Sequence, residues 1–266
     1  MIKKLTLFST LFFLSFSLLQ AQILVDEDFE GGFLPNGWTV ISDATDGGWT
    51  VGAPNVLSGG GLSIPNNGSS LVVGTNDGTC DCDKANDFLI LPPQDLTNAP
   101  GAELEFDVYF RNAQNGGFIE VGKVQVSIDG GTTWESVKTI NGNPNWNTQT
   151  ADISGFIGNA NVLIAFHFDD KGGSLFGMAI DNVLLSIPLA TDAEMGDANM
   201  PDFGETNTEY GIRGSFTNKG ANTITSIEIT YDDDSGNPVA GTIDGLNVET
   251  DETADFQHPT PWIPTT

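Results

Sequence analysis

The chain has 266 residues, 39% of them hydrophobic, and it carries 36 acidic against nine basic side chains for a formal net charge of −27. That length and apolar content suffice for one large or two modest domains with ordinary cores. The charge excludes nucleic acid as a partner, because neutralising phosphates takes clusters of Lys and Arg that are absent, and it argues equally against an anionic membrane surface.

The first segment in chain order is a leader. Lys3 and Lys4 precede an apolar stretch from Leu5 to Leu19, and Ala21 supplies a small residue for cleavage, so residues 1–21 read as a secretory signal peptide. The apolar stretch is shorter than the ~20 residues a membrane span requires, and nothing later is long enough, so membrane insertion is not expected. Two of the nine basic residues fall in the leader, leaving seven in the exported chain. Acidity of this kind keeps an exported protein soluble, or it gathers a hard cation, since crowded carboxylates repel unless a cation joins them.

Beyond the leader the pattern is all-β. Short runs rich in Val, Ile, Phe and Thr alternate with turn clusters, and glycine is abundant at 32 residues. The spacing predicts ten strands before Pro188: ILVDEDFE, GWTVI, SSLVVG, DFLILP, AELEFDVYF, KVQVSID, WESVKTI, WNTQTADI, NVLIAFHFD and MAIDNVLLSI. Between them lie GG, NG, DGG, NGNP and DDKGG, whose residues tolerate positive φ. This is enough for a two-sheet sandwich over residues 22–188. The stretch SIPLATDAEMGD reads as an interdomain link. After it, YGIRGSFTNKG, TITSIEITYDDDSG, PVAGTIDGL and ADFQHP form a second set of strands with an immunoglobulin-like rhythm over 189–266, a span shorter than the ~100 residues of a complete domain of that type.

Several short motifs carry candidate chemistry. In ILVDEDFE, Asp26, Asp28 and Glu30 are spaced by two, so on a strand all three face one way and Val25, Glu27 and Phe29 the other. This is either a solvated edge that discourages aggregation or one side of a cation site. In SDATDGG, Asp43 and Asp46 offer a weaker calcium loop, with an Asx-turn as the simpler reading. Cys80 and Cys82, the only cysteines, make a poor zinc pair without further ligands; export favours a tight disulfide or loop staple. Trp49 and Trp146 border turns and are candidates for exposed rings that lie flat against a ligand such as a sugar, whereas ordinary packing is the alternative for both.

The run SIDGGTTW fits the Asp-box hairpin pattern and resembles the repeated hairpin of sialidases and related glycosidases. That resemblance would require several copies and three arginines clamping a carboxylate; the chain has one copy and two arginines, Arg111 and Arg213. A two-carboxylate glycosidase pair cannot be isolated from the many acids. His167, in an apolar strand, and His258, in a Pro-rich turn, have no G-x-S-x-G elbow or cysteine nucleophile beside them. No catalytic residue is therefore assigned.

Taken together, DFEGGFLPNGW, NDFLILPPQDL, AELEFDVYF, VSIDGGTTW, NVLIAFHF and AIDNVLL resemble, in order and over nearly all of residues 23–187, the cleaved-adhesin or choice-of-anchor J domain. That family is a jelly roll akin in shape to MAM domains and occurs in exported proteins of the type IX secretion kind. The resemblance implies adjacent first and last strands and a structural calcium between them, held by Asp28, Glu30, Asp181, Asn182 and, from a neighbouring loop, Asn67. It implies a secreted or cell-surface, non-catalytic adhesin that engages extracellular glycan or protein, with further domains of a larger chain. The alternative is an accessory binding region of a larger exported peptidase or glycosidase.

Overall fold

The computed structural model of the chain describes residues 21–112, 114–115, 117–173, 175–199, 204–232 and 238–264. The leader, apart from Ala21, and the DDSG end of the second late segment lie outside the described residues. The fold is all-β. Strands β1 (Gln22–Glu27), β2 (Thr39–Ile41), β3 (Thr50–Gly52), β4 (Val72–Asn76), β5 (Asp87–Ile90) and β6 (Glu103–Phe110) come first. Two short pieces, β7 (Gln114–Asn115) and β8 (Phe118–Ile119), precede β9 (Val121–Ser127), β10 (Glu135–Thr139), β11 (Asn143–Asp152), β12 (Leu163–Asp169) and β13 (Gly177–Ile187). Single turns of helix stand at α1 (Pro54–Leu57) and α2 (Asp77–Cys80).

Apart from β7 and β8, which pair only with each other, these strands build two antiparallel sheets. One runs β11-β6-β13-β4-β3 with β1 paired to β13; the other runs β10-β9-β12-β5-β2. Alternation in the sequence decides which side chains meet between them. In β6, Leu104, Phe106, Val108 and Phe110 are buried in the core, while Glu103, Glu105 and Asp107 take the other face. In β12, Ile164, Phe166 and Phe168 do the same from the facing sheet. Phe106 meets Phe166 edge-on at 4.9 Å between centroids, and Phe110 meets Phe168 at 6.3 Å, so two aromatic pairs bridge the sheets. Such pairs add about 0.5–1.5 kcal/mol each beyond the area they bury.

All ten early strands expected from the sequence are present, and the first lies beside the last: β1 pairs antiparallel with β13 from Gln22↔Ile187 to Glu27↔Val183. Later come β14 (Ala193–Asn199), β15 (Arg213–Asn218), β16 (Ile224–Tyr231), β17 (Val239–Val248) and β18 (Thr253–Gln257). They form a β14-β15-β18 sheet and a β16-β17 hairpin around a separate small core of Phe216, Ile224, Ile229, Val248 and Phe256. One sequence expectation needs correction here. The supposed link SIPLATDAEMGD enters β14, which pairs with β15 from Ala193↔Asn218 to Asn199↔Arg213. Every residue of β14 is exposed, so no apolar alternation marked it.

Candidate functional site

The seam between β1 and β13 collects most of the candidate ligands. The ladder of β1 stops at Glu27, yet burial keeps alternating: Val25 and Phe29 are buried, and Asp26, Asp28 and Glu30 are exposed. Phe29 is held at φ 57, a conformation that strains a bulky side chain, while its fully buried ring packs edge-on against Trp38 at 5.4 Å. Glu27 Oε1 accepts the Phe29 amide at 2.8 Å and fixes the turn. Glu30 then reaches a distant loop, where its Oε1 accepts the amides of Ser70 at 2.6 Å and Leu71 at 3.1 Å.

Asp181 grips the same loop from β13. It is fully buried, and its Oδ2 accepts Asn67 Nδ2 at 2.6 Å while its Oδ1 accepts the Asn182 amide at 2.9 Å. Loss of water raises its pKa, against the lowering effect of hydrogen bonds from Asn67, Ser69 and Asn182. A β-bulge follows: β13 advances from Asp181 to Leu184 while β6 goes from Asp107 to Glu105, and Asn182 sits at φ 48. The bulge turns Asn182 outward.

The structure thus brings Glu30, Asn67 and Asp181 to one loop but engages the other two candidates elsewhere. Asp28 Oδ1 accepts the Glu30 amide at 3.1 Å, and Asn182 Nδ2 donates to Asp107 Oδ2 at 2.8 Å. The donor set is all oxygen from carboxylates and amides, which suits a hard cation. Among the described residues, only Asp46, Cys80 and Cys82 hold three acidic or sulfur ligand atoms within 4.8 Å of one another, so Asp28, Glu30 and Asp181 stand further apart than that.

From Asn182 a polar row continues across the outer face of the same sheet. Thr148 Oγ1 donates to Asp107 Oδ1 at 2.5 Å, and two residues along β11 stands Trp146, half-buried beside Tyr109 at 6.1 Å. The Trp146 Nε1 proton goes to Pro65 O at 2.7 Å, so a ligand here would meet the ring and not its N–H. Asp107 and Thr148 escaped the sequence reading because only the β6–β11 and β6–β13 registers bring them together.

Trp49 does not join this face, and its reading as an exposed ring is corrected. It is 4% exposed within the sandwich core, and its Nε1 donates to Asp87 O at 3.1 Å. The cause is the close approach of Gly48, where a Cβ would lie 2.1 Å from the Asp87 carboxylate, so the turn is drawn tightly onto β5.

Other candidates resolve into structure. Asp46 accepts the Gly48 amide at 3.0 Å as an Asx-turn and takes the Lys84 ammonium at 2.9 Å, while Asp43 accepts Asn86 Nδ2 at 2.8 Å. Lys84 is fully buried between Asp46 and, at 3.6 Å, Asp87. Cys80 and Cys82 are joined in a disulfide, which withdraws both sulfurs from metal binding. His167 lies flat on Phe88 at 4.0 Å with Nε2 2.9 Å from Ala85 O, and His258 sits between Thr260 O and Ile229 O at 2.8 and 3.1 Å. In the SIDGGTTW hairpin, Asp129 accepts the amides of Thr132 and Thr133, each at 3.0 Å, and Thr133 Oγ1 at 2.6 Å. These bonds, led by that of the Thr133 hydroxyl, hold Asp129 down to about 2, and Trp134 stacks on Phe88 at 5.3 Å.

No family model matches the chain, and no curated protein matches it. Among solved structures it is similar to the K1 cleaved adhesin domain of Lys-gingipain from Porphyromonas gingivalis W83, at 23% identity and TM-score 0.45 over 60% of this chain and 96% of that one. The K3 domain of the same protein is similar at 19% identity and TM-score 0.46, over 62% of this chain and 99% of that one. The CBM22-1 xylan-binding domain of Paenibacillus barcinonensis Xyn10C is similar at 13% identity and TM-score 0.44, over 63% and 96%. Likenesses of this size fix neither family nor ligand. Among the described residues, no helix is long and apolar enough to cross a membrane.

Proposed function

We propose that the protein is a secreted or cell-surface binding protein of adhesin type, without catalysis of its own, that engages extracellular glycan or protein through the outer face of its larger sandwich. The observation that carries this reading is the row Asn182–Asp107–Thr148 beside the half-buried ring of Trp146. An aromatic ring flanked by fixed carboxylate, amide and hydroxyl groups suits a sugar, which offers an apolar face and a rim of hydroxyls.

Structural calcium belongs to the same proposal, held by Glu30, Asp181 and Asn67 with Asp28 turning in, while Asn182 stays with Asp107 on the outer face. Its support is a buried carboxylate, Asp181, at the seam of the first and last strands. The domain division is proposed likewise: a signal peptide over 1–21, the sandwich over 22–188, and a smaller, incomplete immunoglobulin-like unit over 189–266, supported by the two separate cores.

The binding claim is tested on an array of immobilised glycans and extracellular-matrix proteins, with wild type beside Trp146→Ala and Asp107→Ala. Saturable binding weakened at least about tenfold by both substitutions is expected, the range for loss of an anchor side chain. Binding unaffected by either substitution rejects the outer face.

A further inference from the structure

A second acidic cluster lies at the opposite end of β13 from the seam and outside the groups implicated above. Asp77, Glu120 and Asp170 are all carboxylates no more than 1% exposed. They surround the connection from β12 to β13. Asp77 Oδ2 accepts the Leu175 amide at 2.6 Å, Glu120 Oε1 accepts the amides of Phe176 and Gly177 at 2.6 and 2.7 Å, and Asp170 Oδ1 accepts that of Gly172 at 3.0 Å. Burying charge this deeply is costly unless something answers it.

The second oxygen of Asp77, Oδ1, is buried with no hydrogen-bond partner. Neither Asp77 nor Asp170 has an ion-pair partner among the described residues; the buried Lys84 is committed to Asp46 and Asp87, and Lys171 to Asp169. The carboxylates of Asp170 and Glu120 lie close enough to repel that of Asp77. A cleft of about 250 Å³, lined by Asp81, Cys82, Asp83, Gly172 and Gly173, borders Asp170. Two more acids at its mouth would draw a cation toward Asp170.

We propose that Asp77, Glu120 and Asp170 form a binding site for a divalent calcium ion, distinct from the seam and entered through this cleft. Gly177 and Asp181 are four residues apart on β13, roughly 13 Å at strand rise, so one ion cannot serve both places. The three carboxylates do not all come within 4.8 Å of one another. Carbonyls of the connecting loop and water would complete the 6–8 oxygens that calcium takes. The ion would lock α2 to the β12–β13 connection.

Isothermal titration of the chelator-stripped exported chain with calcium chloride tests this, using wild type, Asp77→Asn and Glu30→Gln. Wild type should bind at two classes of site. Asp77→Asn should weaken one by at least about tenfold and leave the other, which Glu30→Gln alone affects. Because Asp77→Asn removes a buried charge, it should unfold no earlier than wild type in EDTA while gaining less from calcium. Should Asp77→Asn misfold, Glu120→Gln serves in its place. Wild-type calcium binding in Asp77→Asn overturns the inference, as does a single wild-type site lost only in Glu30→Gln. A single site lost only in Asp77→Asn would uphold it and remove the seam calcium instead.

Discussion

Asn67 donates its side-chain amide to the buried carboxylate of Asp181 at 2.6 Å, across 114 positions of sequence. With Glu30 holding Ser70 and Leu71, this bond clamps one loop onto both the first and the last strand of the sandwich. Without calcium, Asn67→Ala should therefore cost about 1–3 kcal/mol, the range for stranding a buried polar group. Urea unfolding in EDTA measures it. A midpoint equal to that of wild type would mean that the clamp contributes nothing.

The two tryptophans should separate sharply. Trp49→Ala empties a core position and should destabilise by about 3–5 kcal/mol. Trp146→Ala should cost less in urea unfolding and instead impair ligand capture. Equal losses of stability would contradict the placement of Trp146 at a half-open surface.

Lys84 is the counter-charge for two aspartates from inside the protein, at 0% side-chain exposure. Lys84→Met keeps the volume and leaves Asp87, also fully buried, uncompensated, so a loss of about 3–5 kcal/mol is expected. Asp87 already lies above the ordinary carboxylate range because of burial, so the double variant with Asp87→Asn should recover part of that loss. Additive losses in the double variant would rule out the pairing.

The fold was largely legible because β strands with one buried face announce themselves by alternation. AELEFDVYF shows Leu104, Phe106 and Val108 at every second place, and all three prove to be core. β14 was missed because AEMGDAN is exposed at every position and borders only β15. The site was legible only in part. The spacing of Asp28 and Glu30 was visible, but not the left-handed Phe29 that redirects Glu30, nor the bulge that sends Asn182 to Asp107. Trp49 misled because the glycines before it signalled a turn; that the turn packs onto Asp87 depends on a partner 38 residues away.

His167 sets a pH dependence of definite sign. Burial holds its imidazole below the ordinary value, against the raising effects of Ala85 O and Asp169, with Lys123 and Lys171 acting with burial. The unfolded chain therefore takes up the proton first, and the stability present above about pH 6.5 is lost as pH falls toward the folded value. His167→Phe keeps a ring against Phe88 and should flatten the slope just below about pH 6.5 relative to wild type. Parallel curves for the two proteins would be the contrary result.

Differential scanning calorimetry of residues 22–266 in calcium and in EDTA bears most directly on the proposed calcium at the seam, with Glu30→Gln run beside wild type. Calcium should raise the wild-type midpoint, by about 2.7 kcal/mol of stability at a hundredfold excess over Kd, and Glu30→Gln should lose a large part of that gain. A wild-type midpoint that is the same in calcium and EDTA, or a calcium shift that Glu30→Gln retains in full, would contradict a calcium ion at the seam of the first and last strands.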